Sequence, residues 1–238
     1  MARKAVPTRC AAMLQFYAGR AAHACCSAET MTSSPQSWPL SWIARSHHAM
    51  VFGRRTCVLA DALAPLIPQG ARVLDIGCGD GTIAALLTER RADITIEGVE
   101  FAPRSSCRIP CRAFDGEHLP FADRAFDACL FVDVLHHTTD VTQLLREAAR
   151  VSRSVLLKDH LSENFFDHAV LSGMDWVGNR PHGVVLPYNY QSRRQWEQHF
   201  VECQLRATHF STNLPLYPFP FSLLFGRKLH FIAQLVKL

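Results

Sequence analysis

The sequence predicts one α/β domain built on a mostly parallel seven-stranded sheet with helices on both faces. Three observations predict it. Short apolar runs alternate with helical repeats between residues 51 and 158, a glycine cluster follows the first of these runs directly, and two further runs lie near the carboxyl end. The chain has 238 residues, enough for one sizeable core, and its 48% hydrophobic and 19% charged composition excludes a disordered polypeptide. No apolar run reaches the ~18–20 residues that span a bilayer.

The elements follow in order. Val58, Leu59, Leu63 and Leu66 recur at helical spacing between Val51 and Leu66, and Pro65 and Pro68 close that helix. Ala71–Ile76 is a short apolar run into glycines, hence a buried strand. Thr82–Arg91 reads as a helix with Ile83, Ala84, Leu86 and Leu87 on its buried side. Asp93–Val99 is a β-branched second strand. Ile109–Phe114 is a weaker third strand, where Pro110 is tolerable only near an edge. Phe126–Val132 and Ser154–Lys158 are the fourth and fifth strands, separated by an amphipathic helix over Val141–Val151. Residues 160–200 are polar, aromatic and irregular. They read as a cap inserted between strands five and six, over the carboxyl edge where ligands bind in such sheets. Leu205–Ser211 and Lys228–Leu235 are two closing strands, and Leu214–Phe225 between them is too rich in proline and aromatics for a helix.

Charge separates the ends of the chain. Residues 1–60 hold seven Lys/Arg and one acid, against a net charge of +4 for the whole sequence. Five of the seven and the one acid lie in an N-terminal extension over 1–49, expected to be flexible, so the basic excess belongs there and not to the domain over 50–238. No basic face for a nucleic acid is expected. The first 30 residues, rich in Arg and Ala, read as a disordered extension or a weak targeting segment. Nine cysteines, none in C-x-x-C spacing, point to reduced thiols in the cytoplasm and to no metal site; Cys107 and Cys111 are the closest later pair. Pro215–Phe225, aromatic and uncharged, reads as internal packing, with a membrane-surface contact as the alternative.

The chemistry centres on Val73-Leu74-Asp75-Ile76-Gly77-Cys78-Gly79-Asp80-Gly81, a strand running into Gly-x-Gly-x-Gly and then into a helix. Glycines permit a sharp turn close to a ligand, and the helix start offers free N–H groups. The dinucleotide fingerprint would place its third glycine at Thr82, one residue later. Asp75 would repel a pyrophosphate but suits an ammonium group. A nicotinamide-linked dehydrogenase is therefore the weaker enzyme reading.

Val73–Gly81 resembles the first motif of the class I S-adenosylmethionine-dependent methyltransferases, which have a Rossmann-like fold. The likeness extends over residues 50–160, and over 200–238 by strand pattern alone. It implies methyl transfer from S-adenosylmethionine to a small-molecule oxygen, nitrogen or carbon. It places Asp75, Gly77, Cys78 and Gly79 around the methionine part of the cofactor. Glu100, 25 positions after Asp75, falls where an acid accepts the ribose hydroxyls. Asp115, in Asp-Gly-Glu-His-Leu-Pro-Phe, is similar to the family's acid for the adenine amino group, with Gly116 allowing close approach. Phe101 either lines the adenine pocket or packs in the core. Val132 and His137 are expected to line the pocket. His136 is left undecided, and with no acid–His constellation at ligand spacing nearby a metal is not expected there.

Lys158-Asp159-His160 ends the fifth strand, where an acceptor would meet the methyl group. His160 is the expected general base, with Asp159 orienting it if the chain turns at once. Trp176, Tyr188 and Tyr190 in the cap are the expected substrate contacts. A non-catalytic cofactor- or partner-binding protein of the same fold is the rival from another class. Substrate and oligomeric state are not legible.

Overall fold

The computed structural model describes residues 53–179 and 187–238, all within one compact unit, Ala44–Leu238. The expected N-terminal extension lies outside the described residues. In chain order the elements are α1 (53–63), β1 (Arg72–Ile76), α2 (Thr82–Arg90), β2 (Thr95–Glu100), β3 (Cys111–Ala113), β4 (Phe126–Val132), α3 (Val141–Val151), β5 (Ser152–His160), α4 (Phe165–Asn179), α5 (Arg193–Glu202), β6 (Leu205–Ser211), α6 (Ser222–Phe225) and β7 (His230–Lys237). Short 3₁₀ turns follow α1 at Ala64–Leu66 and β4 at Leu135–His137.

The seven strands form one sheet in the order β3-β2-β1-β4-β5-β7-β6. β1 to β5 are parallel, and β7 inserts antiparallel between β5 and β6. Successive side chains of a strand point to opposite faces, and here both faces are buried. Leu74, Phe131, Leu157 and Phe231 enter one core with α3 and α5. Their neighbours Val73, Leu130, Leu156 and Ile232 enter the other, with α1, α2 and Leu216. This explains why the central strands read as continuous apolar runs. β3, which follows Pro110, is an edge strand of three residues.

Two expectations are corrected. Residues 160–200 are not irregular: they hold α4 and α5. α5 starts at a capping box in which Ser192 and Gln195 satisfy each other's backbone N–H groups. Its Trp196 is fully buried against Phe231 and donates its indole N–H to the His160 carbonyl at 3.0 Å. α5 is thus part of the layer on the sheet. Within Leu214–Phe225, Ser222–Phe225 forms a single helical turn. Leu216 and Tyr217 pack inward, whereas Phe219 and Leu223 are 79% and 71% exposed.

Candidate cofactor and acceptor site

The parallel strands end at one edge, and the strand order reverses between β1 and β4. That reversal opens a crevice, the usual ligand position in doubly wound sheets. The turn after β1 lies on one side of it. Gly77 has φ +72°, and a Cβ there would lie 2.7 Å from Val134 Cγ2, so only glycine fits. The Gly77 N–H donates to the Val99 carbonyl, which ties the turn to the end of β2.

Asp75 ends up buried within this turn. Burial, and then the charge of Glu100, push its carboxyl up to about 7. Among the described residues neither acid has a cationic partner. Glu100 accepts the Gly79 N–H at 2.8 Å and the Phe101 N–H at 2.9 Å, one through each carboxylate oxygen. Phe101 is half-buried, with its ring 3.6 Å from where a Gly116 Cβ would lie. Asp115 is exposed and accepts the N–H groups of Glu117 and His118. These bonds outweigh partial burial and hold its carboxyl below the usual range.

The ends of β4 and β5 carry a different set. Asp133 follows β4 at φ +57°, a conformation that Asp tolerates better than most residues. It is paired with Arg55 from α1 and with the fully buried Lys158 Nζ from β5. Burial alone would raise its carboxyl; the two cations hold it well below the ordinary range. The register explains the pairing, because Val132 on β4 lies opposite Lys158 on β5.

Asp159, also fully buried, is the hub of the second group. It accepts the Leu135 N–H at 3.0 Å, the His160 N–H at 2.8 Å and His136 Nδ1 at 2.6 Å, with His160 Nδ1 3.3 Å away. The sequence left His136 without an acid. The structure brings it two: Asp159, and Asp175 of α4, 3.4 Å from Nε2. Burial opposes protonation of His136, but the carboxylates prevail and raise it to about 10. Tyr190 donates its hydroxyl to Asp175. The network therefore runs from β5 through the turn after β4 into the cap.

Asp159 and His160 were expected to meet only if the chain turned at once. They meet because the Asp159 carboxylate folds back onto its neighbour's N–H while β5 stays extended. His160 is itself buried, and burial followed by the Lys158 charge lowers its pKa. Burial and His136 lower His137 to about 4, and its Nδ1 has no hydrogen-bond partner among the described residues. Val132 and Tyr188 are half-buried, Tyr188 at φ +52°, while Trp176 on α4 is exposed. Sequence reasoning missed Arg55, Asp133 and Asp175. The pairing of Asp133 with Lys158 was foreseeable once the fourth and fifth strands were placed side by side.

The sequence and the fold both have known counterparts. The methyltransferase-domain family covers residues 51–209. The chain is 33% identical over 113 residues to the 27-O-demethylrifamycin SV methyltransferase of Amycolatopsis mediterranei, covering 41% of each chain. It is 34% identical over 103 residues to a ubiquinone biosynthesis O-methyltransferase of Azorhizobium caulinodans, covering 39% of each. The matches thus span about two fifths of these relatives' own length. Among solved structures, an S-adenosylmethionine-dependent methyltransferase of Thermotoga maritima superposes with a TM-score of 0.57 at 20% identity, over 83% of this chain and 96% of that one. The geranyl diphosphate C-methyltransferase of Streptomyces coelicolor gives 0.56 at 13% identity, over 76% and 77%. At these identities the structural likeness is one of fold. With a family match over two thirds of its length and the glycine turn in place, the chain belongs to the class I S-adenosylmethionine-dependent methyltransferases.

Proposed function

We propose that the protein transfers the methyl group of S-adenosylmethionine to an oxygen of a largely apolar small molecule. One observation carries the cofactor reading: Asp75 is buried without a cation among the described residues, beside a second acid, at a turn rich in glycine. A buried carboxylate raised to about 7 is a poor structural element and a good receptor for an ammonium group. Gly79 fits as well, since nothing lies within 4 Å of where its Cβ would stand. Asp75, Gly77, Cys78 and Gly79 would hold the amino-acid end of the cofactor. Glu100 would take the ribose hydroxyls, and Phe101, Asp115, Gly116, Val132 and His137 would surround the adenine and the rim.

When bound, the cofactor supplies a methyl group already activated by positive sulfur. The protein's task is to align an acceptor, exclude water and remove a proton where the acceptor needs it. His160, kept neutral by burial and Lys158, is assigned as proton acceptor, and Asp159 as the residue that positions it. Tyr188, Tyr190 and Trp176 on the cap would contact the acceptor. One relative named as an O-methyltransferase and another named for a 27-O-demethyl compound support oxygen as the acceptor atom. Among the described residues no helix is long and apolar enough to cross a membrane.

The test is turnover of methyl-labelled cofactor with matched panels of phenols, amines and thiols. Transfer to phenols supports the reading, and transfer to amines alone overturns the oxygen assignment. The dense packing of His136, Asp159 and His160 favours one second reading, a cofactor-binding protein without turnover. It predicts binding of S-adenosylhomocysteine with no transfer to any panel.

A further inference from the structure

A second cluster stands against the glycine turn and shares with the reading above only Cys78, placed there at the amino-acid end of the cofactor. Cys78 lies in the turn after β1, Cys107 in the loop after β2, and Cys111 opens β3. Their three Sγ atoms lie within 4.8 Å of one another, and the Cys78 and Cys111 sulfurs are 3.4 Å apart. A disulfide needs about 2.05 Å, so this is not a bond. Three sulfurs that each lie about 2.3 Å from one ion stand about 3.8–4.0 Å from one another. The Cys78–Cys111 separation is about half an ångström short of that spacing, and no pair of the three exceeds 4.8 Å.

The surroundings are built to receive these thiols. A Cβ at Gly98 would lie 2.5 Å from Cys78 Sγ, and a Cβ at Gly81 would lie 3.2 Å from Cys107 Sγ. The Cys78 and Cys107 sulfurs thus occupy space that a glycine leaves open. Three backbone bonds fix the loops: Gly98 N–H to the Pro110 carbonyl at 2.8 Å, Arg108 N–H to that of Asp80 at 3.0 Å, and Cys107 N–H to that of Arg104 at 3.1 Å. All three cysteines are half-buried, so solvent can complete a fourth position.

We propose that Cys78, Cys107 and Cys111 form a three-thiolate site for one soft, thiophilic cation, Zn²⁺ or Cu⁺, against the cofactor turn. Soft sulfur ligands select these ions over Mg²⁺ or Ca²⁺. Binding replaces three S–H bonds by three sulfur–metal bonds and releases three protons to solvent, with no change of oxidation state. Because Cys78 stands between Gly77 and Gly79, the ion anchors the turn that holds the cofactor.

The experiment uses the full chain, reduced with a phosphine and stripped with a chelator. It is titrated with Zn²⁺, with Co²⁺ as a spectroscopic stand-in, and anaerobically with Cu⁺, each against a competing chromophoric chelator. The expected result is one equivalent bound with sulfur-to-cobalt charge-transfer absorption. Cys107→Ser and Cys111→Ser should each lose at least about 100-fold in affinity, while Cys57→Ser and Cys203→Ser keep it. The zinc and copper arms show which ion the site prefers. Either active-cluster variant suffices, provided its circular dichroism is that of the parent. Metal binding equal in parent and variants would overturn the proposal, as would a reduced chain that takes up none of the three ions. A Cys78–Cys111 disulfide formed by a mild oxidant in a chain that binds no metal would make the pair a redox couple instead.

Discussion

At the ends of β1 and β2, Asp75 and Glu100 stand without a cation among the described residues, on a turn of bare backbone. At the ends of β4 and β5, Asp159 is buried as deeply as Asp75 and Asp133 is half-buried, yet each is matched: the first by His136, the second by Arg55 and Lys158. The same residue type, at the same edge of one sheet, does two kinds of work. A buried charge that its own chain leaves unmatched waits for a ligand that matches it. A buried charge that is matched holds the protein in one arrangement. The difference assigns the β1–β2 side to binding and the β4–β5 side to positioning.

The largest effect should come from breaking the matched side. Asp159→Asn leaves His136 buried without its main counter-ion and should cost about 3–5 kcal/mol of stability in denaturant melts. The pH dependence has a definite sign. His136 is raised from 6.5 to about 10, so its contribution is complete below pH 6.5 and is lost as pH rises through about 10. Asp159 is lowered, so its contribution is present above about pH 3.8 and is lost on acidification below that. The variant should flatten both limbs. A variant as stable as the parent at pH 7 would show that the pair is not a structural hub.

Next in size, His160→Ala should lower single-turnover transfer to an oxygen acceptor by about 100-fold, with S-adenosylhomocysteine affinity unchanged. Equal loss of affinity would place His160 on the binding side and blur the comparison. Glu100→Ala should weaken S-adenosylhomocysteine by about 1–3 kcal/mol in calorimetry while the fold survives. Part of that loss would come from the turn, since Glu100 also holds the Gly79 N–H. Unchanged affinity would remove Glu100 from the site.

The smallest effect on stability is also the one of opposite sign. Asp75 is raised in the folded state, so its stabilising share is full below pH 3.8 and is lost as pH rises through about 7. At pH 8 Asp75→Asn should therefore stabilise the cofactor-free protein, by about 1–3 kcal/mol, while weakening the cofactor. A destabilised variant would mean that Asp75 has a structural partner after all.

The legible part of the molecule was the part set by local pattern. The strands β1, β4 and β5 announce themselves as apolar runs, and the glycine turn is fixed by adjacent residues. α4 was hidden because Phe165, Phe166, Ser172 and Gly173 are indifferent or poor helix formers, so tertiary packing decides it. α5 was hidden less well: Ser192 and Gln195 spell a capping box directly before an amphipathic stretch. Of the charge network, the Asp133–Lys158 pair follows once β4 and β5 are neighbours, but Arg55, 78 residues before Asp133, joins only when α1 packs on the sheet, which no local pattern shows. The same holds for Cys78, which joins Cys107 and Cys111 only when β1, β2 and β3 are adjacent.

The measurement that bears most directly on the cofactor side is calorimetry of S-adenosylhomocysteine and of NAD against the parent protein from pH 6 to pH 8. The account predicts micromolar S-adenosylhomocysteine binding, about −8 kcal/mol, no measurable NAD binding, and an affinity that rises about tenfold over this range as Asp75 ionises. Tighter binding of NAD, or an S-adenosylhomocysteine affinity indifferent to pH in the parent, would contradict it.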